Sequence, residues 1–191
     1  MIENNKNFSW TKLEYIEENE ILMCQQNNIY KKILKFNLNE LINPMKVLGK
    51  KKIRLGNKYD GGYVLLDDFD NIQIAYSLGI SIEVSFDKEL ADRNIDIFMY
   101  DHTIENLPYK NPKFHWKKIG LTGKTTIKQK NMKSLDKLIS YNGHSHEQNM
   151  ILKLDIESFE WTLFESISSD ILNQFKYIVG EFHFNDTENI N

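Results

Sequence analysis

The chain has 191 residues, 41% of them hydrophobic, which predicts one globular domain with a substantial core. A formal net charge of −3 argues against a protein that holds nucleic acid through its phosphates, and the single cysteine, Cys24, excludes an internal disulfide framework and multi-cysteine metal sites. The sequence has neither a helix-length apolar run nor a basic leader, so we expect a cytoplasmic protein without a membrane partner.

Residues 1–50 are polar and favour helices. Trp10, Leu13 and Ile16 share a helical spacing. We predict an N-terminal helical extension over residues 1–50 that covers one face of an α/β domain over residues 51–191. A lid over an active site and a dimer contact are the alternative roles for this extension.

A β-hairpin is predicted next. Ile53 and Leu55 alternate with charged residues, residues 64–66 form a second extended run, and turn residues lie between them. The turn contains Asp60 and Gly61, and a loop of this composition also suits close approach to a ligand. The sequence leaves both interpretations open.

Residues 74–101 predict one βαβ unit. An apolar strand over 74–78 breaks at Gly79, where φ is unrestricted, and a second strand over 95–100 ends at Asp101. Such a unit requires a right-handed crossover and a parallel sheet. Asp101 follows the glycine by about 20 residues, the distance at which an acid of a nucleotide-binding fold reaches ribose hydroxyls.

Further elements continue this alternation. In the helix of the βαβ unit we expect Val84, Phe86, Leu90 and Ala91 to face the core and Asp87, Lys88 and Glu89 to face water. We also predict strands over 114–119, 150–154 and from 177 onward, a helix over 134–139 capped by Ser134, and a helix over 159–167 with Phe159, Leu163, Phe164 and Ile167 inward.

The predicted fold class is α/β, with a doubly wound (Rossmann-like), mostly parallel sheet and an N-terminal helical and hairpin extension. Ligands of such sheets bind at the carboxyl ends of the strands. Polar residues fall at four predicted strand ends in turn: Ser77 and Gly79, Asp101, Asp155 and Glu157, and Glu181 and His183. Each acid alone could cap a helix, but their repetition indicates a binding site.

One of these strand ends resembles a known family. Residues 151–160, ILKLDIESFE, resemble the "LKiDiEGaE" stretch of FkbM-type methyltransferases, which are class I S-adenosylmethionine-dependent enzymes, with Ser158 where the family usually has glycine. Residues 134–136 look like the family's "SLD" segment, and residues 77–80 with 59–63 look like a divergent branch. The resemblance covers roughly residues 54–184, and a single Gly79 replaces the usual glycine-x-glycine.

The resemblance implies S-adenosylmethionine as cofactor. It implies that Gly79 lets the backbone pass the methionine part and that Asp101 holds the ribose hydroxyls. Glu83 is a candidate for a second polar contact, and His102 is either a contact near the adenine or an ordinary exposed histidine. The full predicted cofactor-binding set is Ser77, Gly79, Ile80, Glu83, Asp101, His102, Asp155, Asp60 and Gly61.

The family's O-methyltransferases imply a hydroxyl acceptor on a sugar or another small or glycan molecule, and removal of its proton needs a base. His183, with an unperturbed pKa near 6.5, is the best candidate. Glu181 lies two residues earlier on an extended strand and so points to the same face. Glu157 would orient the acceptor or balance the sulfonium charge. These three form the predicted catalytic set.

Two other classes of function stay open. A divalent metal such as Mg²⁺, Mn²⁺ or Fe²⁺ suits a cluster of carboxylates and imidazole, and the sequence leaves such a site open. The candidate ligands are Asp155, Glu157, Glu181 and His183, with His144 and His146 less favoured. A degenerate domain that binds cofactor or a partner without turnover is the non-enzymatic alternative.

The usual methyltransferase sheet continues after its fifth strand with a helix and a β-hairpin. The sequence given stops at residue 191, so we expect either a five-stranded sheet that lacks this hairpin or a fragment of a longer chain. An uncovered last strand would be an exposed edge that a second copy could cover, which makes a homodimer an expectation.

Overall fold

The structure is a computed structural model and describes residues 47–123, 131–157 and 159–183. The predicted N-terminal extension lies almost entirely outside these residues, as does the polar tail after His183. The extension, and the domain division at residue 50, therefore stay predictions.

The described elements are nine strands and four short helices. The strands are β1 (Lys52–Leu55), β2 (Tyr63–Leu66), β3 (Ile74–Leu78), β4 (Asp96–Tyr100), β5 (Phe114–Lys117), β6 (Gly120–Leu121), β7 (Met132–Lys133), β8 (Met150–Leu154) and β9 (Phe175–Gly180). The helices are α1 (Ser85–Ala91), α2 (Leu135–Tyr141), α3 (Glu160–Ser166) and α4 (Ser169–Leu172).

A five-stranded sheet in the order β5-β4-β3-β8-β9 is the centre of the described domain. Every neighbouring pair in it is parallel, and β8 and β9 shift register between Met150 and Ile151. The predicted α/β class with a parallel sheet is confirmed. The antiparallel β1–β2 pair confirms the hairpin, and β6 pairs with β7 in a separate two-stranded parallel sheet.

The sheet buries both of its faces, which is why its central strands are continuous apolar runs rather than alternating ones. On one face Ala75, Ile97 and Ile151 pack with α1 and the hairpin. On the other face Tyr76 and Leu152 pack with side chains of α2 and α3. The fully buried strand β8 therefore lies in the middle of the core.

Four local predictions are wrong. Asp87 faces the interior and is only 1% exposed, because α1 lies on a sheet face that also carries the polar side chains of Ser77 and Lys153. Phe159 is 47% exposed because the helix begins one residue later, at Glu160. The third strand of the large sheet ends at Lys117 rather than at residue 119. Ser134 precedes α2 but makes no side-chain capping hydrogen bond.

Within the described residues, no helix combines the length and the apolar character that a membrane crossing requires.

The turn after β3 depends on the absence of a side chain at Gly79. Its φ is +80°, and an added Cβ would lie 1.6 Å from the carbonyl oxygen of Asp155. The close approach expected at this glycine is therefore made by the backbone that follows β8, not by space for a ligand. Two neighbouring parallel strands can thus turn into their loops side by side.

We predict that Gly79→Ala destabilises the protein by about 3–5 kcal/mol, because positive φ and a clash with backbone both oppose a side chain there. Urea unfolding followed by circular dichroism measures this change. Gly143→Ala is the matched control, since Gly143 has φ +82° but nothing within 4 Å of an added Cβ.

The control should cost only about 1–2 kcal/mol, the strain of positive φ alone. Equal losses in the two variants would show that the contact with Asp155 does not constrain the turn.

Candidate functional site

A cleft of about 650 Å³ lies at the carboxyl ends of β3, β8 and β9. Its lining residues come from the hairpin turn (Tyr59, Asp60, Gly61, Gly62 and Tyr63), the loop after β3 (Ile80, Ser81, Ile82 and Glu83), the loop after β8 (Asp155 and Glu157), and the end of β9 (Gly180, Glu181 and His183).

The hairpin forms a wall of the cleft because it is fastened to α1. The amide of Asn57 donates to Ser85 Oγ at 2.8 Å, and the amide of Gly56 donates to Glu89 Oε1 at 2.9 Å. The rings of Tyr63 and Phe86 meet edge to face with centroids 5.1 Å apart. These contacts fix the turn residues relative to the sheet.

Glu83 links the hairpin turn to the start of α1. Its carboxylate accepts hydrogen bonds from the amide of Ser85 and from the side-chain amide of Asn57, each at 2.5 Å. Burial opposes the charged form, but these hydrogen bonds lower the pKa of Glu83. An added Cβ at Gly61 would lie 2.1 Å from Glu83 Cγ, so this glycine permits close packing within the protein.

Three of the predicted site residues come together at the ends of β8 and β9. Ligand atoms of Asp155, Glu181 and His183 all lie within 4.8 Å of one another. We call these three residues the β8–β9 cluster. Glu157 lies beside it, with Oε2 3.7 Å from His183 Nε2.

His183 is held in place by two contacts with α3. Its Nδ1 lies 3.3 Å from Glu160 Oε1, so Nδ1–H donates to this carboxylate. The indole Nε1 of Trp161 donates to the carbonyl oxygen of His183 at 2.8 Å. The other ring nitrogen, Nε2, faces Glu157 and the cleft.

Glu160 is fully buried, although a carboxylate is costly to bury. Its Oε1 accepts from the amide of Ile156 at 2.8 Å in addition to the contact with His183. Its Oε2 has no hydrogen-bond partner among the described residues. The helix that begins at Glu160 therefore places an incompletely paired charge directly behind the histidine.

The crowded carboxylates shift the acid–base equilibria of the cluster. Burial raises the pKa of Asp155, and the negative charges of Glu181 and Glu157 add to this rise against the opposing Lys153. Partial burial lowers the pKa of His183, but the hydrogen bond to Glu160 and the surrounding acids outweigh it and raise the pKa above its ordinary value.

Asp101 does not line the cleft, and its carboxylate closes the turn after β3 instead. Oδ2 accepts from the amides of Ile80 and Ser81 at 2.8 and 2.9 Å, while Oδ1 accepts from the amide and hydroxyl of Thr103 at 2.7 and 2.6 Å. The side chain is only 6% exposed. A ribose would have to compete with these four donors, so the geometry does not support the predicted ribose contact.

Two other predicted cofactor contacts lie away from the cleft. Ser77 is 1% exposed and faces the α1 side of the sheet, as its alternation with Tyr76 requires. His102 is exposed and packs against Gly120 of β6. His144 is also separate from the β8–β9 cluster, since its Nδ1 pairs with the hydroxyl of Tyr76 at 2.8 Å.

Sequence analysis did not assign roles to two residues that support the site. Glu160 lies within the 151–160 motif and orients His183. Lys153 is 4% exposed, and its Nζ donates to the carbonyl oxygen of Gly79. A lysine inside an otherwise apolar strand run was the available signal, because a buried charge needs a nearby partner.

Comparisons of the chain with models of known protein families, with curated proteins and with solved structures found no match.

We predict that Asp101→Asn destabilises the protein by about 2–3 kcal/mol at pH 7, since charge-assisted hydrogen bonds are lost and an amide would face two backbone donors. Burial alone would raise the pKa of Asp101, but hydrogen bonds from Ser81, Thr103 and Ile80 lower it. A lowered folded pKa contributes stability above the unfolded value of about 3.9 and loses it as the pH falls. The difference between variant and wild type should therefore shrink below about pH 4.

Urea unfolding at pH 7, 5 and 3 measures this effect. Asp92→Asn is the matched control, because Asp92 is exposed on the same βαβ unit, and it should change the free energy of unfolding by less than about 0.5 kcal/mol at each pH. An Asp101→Asn loss that is independent of pH would contradict the proposed role of the ionised carboxylate.

Proposed function

We propose that the protein is an S-adenosylmethionine-dependent methyltransferase that acts on a hydroxyl of a sugar or another small or glycan acceptor. The observation that carries this proposal is the position of the cleft. It lies at the carboxyl ends of β3 and β8, between which the strand order reverses, and open α/β sheets bind their ligands at such a point.

The strand order also supports the finer fold class, a doubly wound Rossmann-like sheet. The chain proceeds from β3 through β4 to β5 toward one edge and then returns to add β8 and β9 on the other side of β3. Helices on both faces accompany this order. The hairpin of β1 and β2 is an addition to this plan, and it walls the cleft.

The chemistry of the lining fits a positively charged ligand. Among the described residues, five carboxylates line the cleft and His183 alone can carry a positive charge there. The acids are Asp60, Glu83, Asp155, Glu157 and Glu181. The volume of about 650 Å³ is within the usual range for small-ligand sites. When bound, S-adenosylmethionine supplies a methyl group on a positively charged sulfur, and this charge complements the acids.

We assign the ribose contact to Glu83 rather than to Asp101. Glu83 lines the cleft, whereas Asp101 does not, and the hydrogen bonds that Glu83 accepts from Ser85, Asn57 and Val84 orient its carboxylate. Ile80 and Ser81 line the same side through the turn that Asp101 holds. Asp101 then supports cofactor binding indirectly, by fixing this turn.

His183 is the proposed general base. Glu160 accepts the Nδ1 proton, which leaves Nε2 with a lone pair directed away from α3 when the ring is neutral. Nε2 would take the proton of the acceptor hydroxyl, while the methyl carbon would pass to the hydroxyl oxygen and the electron pair of the broken carbon–sulfur bond would stay on sulfur. Glu181 and Glu157 stabilise the imidazolium that results, since both raise the pKa of His183.

We predict that the protein binds S-adenosylmethionine more tightly than S-adenosylhomocysteine, which lacks the sulfonium charge. Glu157→Gln should reduce the ratio of the two affinities by about 2- to 5-fold. The modest size follows from the exposure of Glu157, whose side chain is 86% accessible, because exposed charge pairs contribute little. Calorimetric titration in the presence of a chelator measures both ligands.

The matched control is Glu165→Gln on α3, an exposed residue outside the cleft that should leave the preference unchanged. NAD titrated in parallel should give no saturable heat. Failure of the wild type to bind S-adenosylmethionine would reject the methyltransferase proposal and favour a domain that binds another partner.

We predict that His183→Ala lowers methyl transfer to hydroxyl acceptors by about 10²–10⁴-fold. In the wild type the rate should rise with pH until it passes the raised pKa of His183, and this rise should be absent in the variant. Transfer of labelled methyl groups to a panel of hydroxylated sugars, measured between pH 5.5 and 9 with chelator present, gives both results.

His146→Ala is the control, because His146 is exposed and does not line the cleft. Retention of the wild-type pH profile in His183→Ala would exclude His183 as the base while leaving cofactor binding intact.

A further inference from the structure

We propose that the β8–β9 cluster is a binding site for one divalent first-row cation of the Mn²⁺ type, with Asp155, Glu181 and His183 as protein ligands and Glu160 as the residue that orients the histidine. This proposal goes beyond methyl transfer, since it concerns ligand binding by three side chains whatever reaction the cleft serves.

The spacing of the cluster suits a single ion. An octahedral ion with bonds of about 2.1 Å has ligands about 3–4.2 Å apart. The ligand atoms of the cluster already lie within 4.8 Å of one another, so small side-chain rotations bring them to this spacing. The three residues come from the ends of two adjacent parallel strands, which are linked by hydrogen bonds up to Glu181.

The contact behind His183 is the independent observation that points to a ligand. Histidines that bind metals almost always donate their second ring N–H to a carboxylate or carbonyl, which fixes the tautomer and the ring orientation. Glu160 Oε1 accepts from Nδ1 and thereby makes Nε2 the free donor atom. The burial of Glu160, with Oε2 unpaired among the described residues, is unfavourable unless nearby positive charge compensates it.

The described structure provides little such charge from protein groups. Asp155, Glu157, Glu160 and Glu181 surround one imidazole. Lys153 is the nearby lysine on β8, and its charge acts on Asp155, but its Nζ donates to the carbonyl oxygen of Gly79. A divalent cation between the carboxylates would therefore relieve their mutual repulsion.

The ligand types favour a cation that accepts both oxygen and nitrogen. Carboxylates suit Mg²⁺, Ca²⁺ and Mn²⁺, whereas imidazole suits the later transition metals, so a mixed set favours Mn²⁺ or Fe²⁺. Three protein ligands leave positions free for an exchangeable water or hydroxyl. A bound cation would lower the pKa of a coordinated hydroxyl, which could then release its proton to solvent water without His183 as the base.

The test is a titration of the full chain with Mn²⁺, in which the paramagnetic resonance signal of the free hydrated ion reports the unbound fraction. We expect one saturable site in the wild type. Spin-echo measurements on the bound ion should show coupling to an imidazole nitrogen, and His183→Gln should abolish this coupling.

Removal of a ligand should weaken Mn²⁺ binding by at least about 10-fold in Asp155→Asn and Glu181→Gln, and the loss of the orienting contact in Glu160→Gln should weaken it by about 10–100-fold. Glu160→Gln should keep the nitrogen coupling, because His183 remains a ligand. Circular dichroism establishes that each variant is folded, and the exposed ligand Glu181 keeps the test decisive should the buried Glu160 variant unfold.

Asp60→Asn is the matched control, since it removes one negative charge from the same cleft but not from the cluster, and its Mn²⁺ affinity should stay within about 2-fold of the wild type. Absence of a saturable site, or equal weakening by Asp60→Asn and Asp155→Asn, would overturn the proposal. The S-adenosylmethionine titration in chelator is unaffected by either result, so failure of the metal site and failure of the methyltransferase proposal are distinguishable.

Discussion

The close passage of the backbone at Gly79 and Asp155 is the constraint on which the cleft depends. The carbonyl oxygen of Asp155 occupies the space of a Cβ at Gly79, so β3 and β8 can turn outward together only with glycine at this position. Lys153 adds a hydrogen bond to the carbonyl of Gly79 on the same side. Glycine here provides a rigid floor for the site, in contrast to the flexible turn that the residue type alone would indicate.

The same turn determines which acids remain available for a ligand. Asp101 satisfies the amides of Ile80 and Ser81, which would otherwise be left without acceptors as the chain leaves β3. The carboxylate of Asp101 therefore makes all of its hydrogen bonds within the protein and is not available to a ligand. Asp155 follows β8, on the other side of β3 from Asp101. Among the described residues it has no comparable set of donors, and it lines the cleft with Glu181. The acids that remain available for a ligand therefore lie toward β8 and β9.

Much of this architecture could be predicted from the sequence, because strands of a buried parallel sheet are recognisable as short apolar runs. Strands β3 and β8 and the end-of-strand positions of Asp155 and Glu181 were predicted in this way and are confirmed. Their grouping follows from topology, since parallel strands bring their carboxyl ends to one edge.

Whether each acid is enclosed by the protein or available to a ligand could not be predicted, because this depends on the direction of backbone amides that are distant in sequence. Asp101 and Asp155 have the same pattern of apolar run followed by acid, yet one is enclosed and the other is available. Asp87 shows the same limit on a helix, where periodicity places it toward water but the polar side chain of Ser77 and the charge of Lys153 lie opposite it. The sequence pattern predicts where an acid lies in the fold, whereas its hydrogen-bond partners determine whether it is available to a ligand.

The pair formed by Glu160 and His183 connects the helix α3 to the candidate site. The residues are 23 positions apart, and α3 brings the carboxylate behind the imidazole only because the helix begins directly after the loop that carries Asp155 and Glu157. A buried carboxylate with one oxygen that has no partner among the described residues is unfavourable for the fold alone. Its position is explained if the histidine must be held in one tautomer, and that requirement is common to a general base and to a metal ligand. The two roles use the same nitrogen and therefore exclude each other at any one time.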